Sequence, residues 1–130
     1  MHRFKALKYS VGFVLPFLAW VSFQSHGFIT FLPLLYTFFL LPALELLLPA
    51  NQQNMEKSEE ASRLDNVLYD ILVYLIVPVQ LFVLVSFLFA MQEPQLTVLD
   101  IVGRVSAMGL CCGILGINVG HELGHRSKWY

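Results

Sequence analysis

The chain has 130 residues, of which 57% are hydrophobic and only 13% charged, against roughly 25% charged in an average soluble protein. That balance excludes an ordinary soluble globule and makes a lipid bilayer the expected solvent, with room for one domain at most. The formal net charge of −1, with no basic block, argues against nucleic acid as a partner.

In chain order, a basic start containing Arg3, Lys5 and Lys8 precedes an apolar run at about 9–23. A basic start before an apolar run is also the pattern of a signal peptide, but no small-residue cleavage site follows, so the run is expected to be retained as a first span, kinked at Pro16. A second apolar segment covers 28–48, interrupted by Pro33, Pro42 and Glu45; one tilted helix and a re-entrant pair fit it equally. The polar stretch 51–65, with Glu56, Lys57, Glu59, Glu60 and Arg63, reads as a solvated connector. A third segment runs over 67–91 around Pro78, and a short turn at Gln92-Glu93-Pro94-Gln95 leads into a fourth over 96–120. The expected fold is an all-α, integral membrane helical bundle of about four transmembrane helices.

Lys and Arg flank the first span on its N-terminal side, follow the second as Lys57 and Arg63, and follow the fourth as Arg126 and Lys128. The connectors around Gln24-Ser25-His26 and 92–95 carry neither residue. The positive-inside rule then puts both ends of the chain and the 51–65 connector in the cytoplasm.

On the fourth segment Asp100 and Arg104 lie four residues apart and are expected to pair along the helix, which lowers the cost of placing both near lipid. Cys111 and Cys112, beside Gly113, read as small packing residues rather than a disulfide. Gly109, Gly113, Gly116, Gly120 and Gly124 recur mostly at intervals of four. Small residues so spaced let helices approach closely, so this helix is expected to lie inside the bundle.

The segment ends in His121-Glu122-Leu123-Gly124-His125. Four residues on a helix return to nearly the same face, so both imidazoles can serve one metal or two adjacent metals. Glu122 points to a neighbouring face, and Asn118 lies one turn earlier. Two templates fit. In H-E-x-x-H zinc proteases, the histidines bind zinc and the glutamate is the general base. In the H-x-x-x-H box of membrane di-iron hydroxylases and desaturases, the histidines bind non-haem iron. Imidazole suits zinc and iron alike. The following Arg126-Ser127-Lys128-Trp129-Tyr130 is cationic and aromatic, the pattern of a membrane–water boundary, where a soluble reductant has access.

The run Asn118-Val119-Gly120-His121-Glu122-Leu123-Gly124-His125-Arg126 resembles the first histidine box of the alkane 1-monooxygenase family. Over residues 1–110 the likeness is one of layout, two apolar hairpins joined by a polar loop. The resemblance implies a non-haem di-iron enzyme of a bacterial inner membrane. Such an enzyme inserts one oxygen atom of O₂ into a terminal C–H bond of a medium-chain alkane or related hydrocarbon. Its electrons come from rubredoxin and an NAD(P)H-dependent reductase. It also implies iron ligation by His121 and His125, with Asn118, Glu122 and Arg126 as candidates to orient the ligands. His2 and His26 are the remaining histidines, and neither is placed to help. Two ligands cannot hold two irons, so the chain is expected to be the N-terminal part of a longer hydroxylase, inactive alone. Two other readings stand beside this one. A membrane-embedded zinc metalloprotease needs a third zinc ligand; a non-catalytic membrane bundle needs none.

Overall fold

The computed structural model describes residues 12–47 and 67–125, and among them all regular structure is helical. Helix α1 is Val14–Phe23. Pro16 falls in its first turn, where a backbone N–H has no intrahelical partner, so the proline costs no helical hydrogen bond there. The residues of the first segment before Gly12 lie outside the described part.

The second segment is one continuous helical run, Gly27–Leu47, here α2. It is not a re-entrant pair. It opens as a 3₁₀ turn over Gly27–Phe31, becomes α-helical, and widens into a π-helix over Tyr36–Leu40 before closing as an α-helix over Leu41–Leu47. Pro42 accounts for the widening: it has no N–H to give Phe38, and its ring crowds that carbonyl. Gly27 has φ +65°, a conformation that favours glycine, and it turns the chain sharply from α1 into α2.

Helix α3 is Val67–Ala90, with Pro78 inside it. The last helix, α4, begins as an α-helix over Val98–Leu110, widens into a π-helix over Cys111–Ile117 and returns to α-helix over Asn118–His125. Its start is set by a capping box. Thr97 accepts from the Asp100 backbone N–H, while the Asp100 carboxylate accepts from the Thr97 backbone. The polar connector expected at 51–65 lies outside the described residues.

The core is a seam between α1, α3 and α4. Leu15, Ala19 and Phe23 of α1 pack against Val83 of α3 and against Ala107, Met108, Cys111 and Leu115 of α4. Phe23 and Phe87 stack tilted with ring centroids 5.4 Å apart. Three helices are long and apolar enough to cross a membrane: Gly27–Leu47, Ile71–Ala90 and Val98–Gly124. α1 is shorter, at 10 residues. Over an 18-residue apolar stretch of each, 39% of residues are buried in the third helix, against 11% and 6% in the others, so α4 is the central strut. The outer surfaces of α2 and α3 remain apolar, with Phe38, Phe39, Leu46, Leu81, Phe82 and Phe89 all exposed.

Two expectations about α4 need correcting. The close helix approach does not follow the glycine stripe. Among the described residues, a Cβ at Gly109, Gly113, Gly120 or Gly124 meets nothing within 4 Å. The tight crossing is at Gly103, where a Cβ would lie 2.0 Å from Thr30 Oγ1 and 2.6 Å from Thr30 Cβ. The second correction concerns Arg104, which pairs with Glu93 rather than with Asp100. Both side chains are drawn away from each other by partners on other segments.

Candidate metal centre

The histidine box sits on the α-helical end of α4. Asn118–His125 is regular α-helix, so His125 falls about 6 Å along and about 40° round the axis from His121. The side chains of His121 and Glu122 are exposed, and Leu123 is partly buried. Asn118 is also exposed, and its Nδ2 donates to the Ile114 carbonyl at 2.8 Å, one turn back on its own helix. The His125 side chain and all of Arg126 lie outside the described residues.

The π-helix before the box decides which way it faces. The buried positions of α4 are Asp100, Gly103, Arg104, Ala107, Met108, Cys111 and Leu115, a stripe of α-helical period. Continued at 3.6 residues per turn, that stripe would next take in Asn118, then His121 or Glu122, then His125. Instead Val119 and Leu123 are the partly buried residues, one position later. A π turn inserts one extra residue, which shifts everything beyond it by about 100°. Here it turns the box off the packed face of the helix. No periodicity rule applied to the sequence contains that shift, because the extra residue is visible only in the backbone.

Two imidazoles one turn apart can supply two donors to a metal. Among the described residues no three His, Cys, Asp or Glu side chains group closely enough to hold one. Two donors fill at most part of a metal's coordination shell. Cys111 is buried in the core and Cys112 is exposed, its Sγ 3.6 Å from Gln80 Nε2. Both are free thiols; Cys111 packs as expected, whereas Cys112 is exposed.

A second polar cluster, of which the sequence showed only Asp100 and Arg104, lies at the other end of α4. From Asp100 to His121 the helix rises about 30 Å. Asp100 accepts from the Gly27 N–H at 2.6 Å, the Thr97 N–H at 3.0 Å and the Thr97 hydroxyl at 2.7 Å. Arg104, 1% exposed, donates to the Ala90 carbonyl at 2.7 Å, the Ser25 carbonyl at 2.9 Å and Glu93 Oε2 at 3.0 Å. Ser22 donates to the Thr30 carbonyl, and Thr30 to that of Gly27, each at 2.6 Å. His26 lies against both carboxylates. The signal available in sequence was two charged residues in an apolar segment beside polar turns; their partners, up to 79 residues away, were not readable.

In comparison with known proteins, the chain matches no family model, no curated protein and no solved structure.

Proposed function

We propose that this chain carries the first histidine box of a membrane-bound, non-haem di-iron hydroxylase of the alkane 1-monooxygenase type. The observation that carries the reading is the pair His121 and His125 on regular α-helix, at the end of a helix long and apolar enough to cross a membrane. The flanking Asn118 and Arg126 complete the motif. His121 and His125 are the proposed iron ligands, and Glu122 and Arg126 the proposed orienting groups. Asn118 holds its own helix through Ile114 and keeps its carbonyl oxygen as an acceptor.

The apolar outer surfaces support a bilayer as the surroundings. The openness of the box supports ligands arriving from histidines beyond these two, since two imidazoles cannot hold two irons. When bound, the iron pair supplies O₂ activation; this chain's residues hold one side of it and present it at the membrane boundary. Rubredoxin and its NAD(P)H-dependent reductase are the proposed electron source, and a terminal methyl group of a hydrocarbon the proposed substrate.

The test is incorporation of ¹⁸O from labelled O₂ into a primary alcohol, in cells that express this chain together with further histidine boxes and are fed a medium-chain alkane. We expect labelled alcohol from the wild type and none from His121→Ala. If peptide hydrolysis is found instead, and is abolished by Glu122→Gln, the zinc protease reading replaces this one. If neither activity depends on His121, the chain is a non-catalytic bundle.

A further inference from the structure

The surface between α1 and α3 carries an open groove and, where the α1–α2 and α3–α4 turns come together, a wider mouth. The two follow one line along both helices. On α1 and its caps, Phe13, Phe17 and Trp20 wall the groove and Gln24 the mouth, at spacings of four, three and four. On α3, Val79 and Val83 wall the groove and Ser86 and Ala90 the mouth, at the same spacings. Residues so spaced share one helix face, so the groove leads toward the mouth.

The two parts differ in chemistry. The groove, of about 350 Å³, is walled by apolar side chains alone. Phe17 and Phe82 in its walls are 60% and 57% exposed, so neither is spent on the core. The mouth, of about 640 Å³, brings in Gln24, Ser86, Gln92, Glu93 and Arg104. From Phe13 to Gln24 the helix rises about 16 Å, close to the roughly 15 Å of hydrocarbon in one leaflet.

We propose that the groove and its mouth hold one membrane phospholipid whose headgroup bears an ammonium, with an acyl chain along the groove and the headgroup in the mouth. Charge selects the headgroup. Glu93 and Asp100 against Arg104 leave one negative charge at this end of the bundle. Among the described residues lining the mouth there is no lysine, and Arg104 is 1% exposed with its charge matched by Glu93. An anionic headgroup is disfavoured there, whereas an ammonium meets the Glu93 carboxylate, which is 40% exposed beside His26. The phosphate oxygens of the same headgroup accept from the amides of Gln24 and Gln92 and from the Ser86 hydroxyl. The proposal rests on a bilayer around the bundle and not on the metal reading, since the mouth lies at the opposite end of α4 from the box. Release of the chain from membranes by detergent but not by salt checks that bilayer separately.

The test is native mass spectrometry of the whole chain in detergent at about pH 8, where a free imidazole is neutral. The chain is titrated with phosphatidylethanolamine or with phosphatidylglycerol of the same acyl chains. One phosphatidylethanolamine per chain is expected, held about fivefold more tightly than phosphatidylglycerol, the upper end for an exposed ion pair. Ser86→Trp, which fills the junction of groove and mouth, should lose the lipid. Leu81→Trp, at an exposed position of α3 that walls neither part, should keep it. Glu93→Gln should level the two lipids; should that variant not fold, the wild-type preference and the two tryptophan variants still decide. Equal binding of both lipids by the wild type, a preference for phosphatidylglycerol, or Ser86→Trp binding like the wild type overturns the proposal. So does binding of glycerophosphoethanolamine, the headgroup without its chains, as tight as that of the lipid.

Discussion

Arg104 is a guanidinium with 1% of its surface exposed, and its partners explain how a helix otherwise so apolar tolerates it. It donates to the carbonyls of Ala90 and Ser25, at the ends of two other helices, and to the Glu93 carboxylate. One side chain thus closes backbone acceptors on separate segments while its charge is matched. Arg104→Met should destabilise the fold by about 3 kcal/mol, the low end for breaking a buried pair, because Glu93 is 40% exposed and can be resolvated. Denaturant titration in detergent checks this. Gly103 makes a complementary case. Alanine there forces its Cβ into Thr30 and should cost about 1–3 kcal/mol by overpacking. Gly113→Ala meets open space and should be neutral or slightly stabilising, because alanine is the better helix former. Equal losses at the two positions would contradict the assignment of the crossing to Gly103.

At the scale of the element, the helices were legible in the apolar runs, because a membrane-length hydrophobic stretch between polar breaks leaves little choice of structure. The interior of α4 was less legible, for three physical reasons. The spacing of Asp100 and Arg104 predicted a pair within the helix. Capping of the helix by Asp100, and the pull of Glu93 and two carbonyls on Arg104, outweighed that local contact. The glycine repeat predicted a packed face, yet among the described residues the close approach is at Gly103, outside the repeat. The histidine spacing put positions 121 and 125 one helical turn apart, and Asn118–His125 is regular α-helix. Which way that turn faces depends on the π-helix Cys111–Ile117. Deleting Gly113 should remove the extra residue, restore a continuous α-helix and rotate His121 by about 100° onto the packed stripe. We expect loss of metal binding with helix content retained, measured by cobalt absorption and circular dichroism. Unchanged binding would show that the π-helix does not set the direction of the box.

At the scale of the molecule, α4 is the strut around which the other helices gather. Its two ends differ. One is tied by Asp100, Arg104, Glu93 and His26 to the neighbouring turns; the other carries the histidine box, where His121 and Glu122 are exposed. The hydrogen-bonded end fixes α4 against its neighbours, and the proposed metal chemistry belongs to the opposite end. The apolar outer surfaces of α2 and α3 fit a bilayer around the bundle. The most direct test is a cobalt(II) titration of the whole chain in detergent, followed by its visible absorption, for the wild type and for His121→Ala, His125→Ala and His26→Ala. Binding is expected to weaken by more than about tenfold when either box histidine is removed, at least the loss that removing an outer partner of a ligand produces, and to be unaffected at His26. Binding indifferent to His121 and His125, or no binding at all, would contradict it.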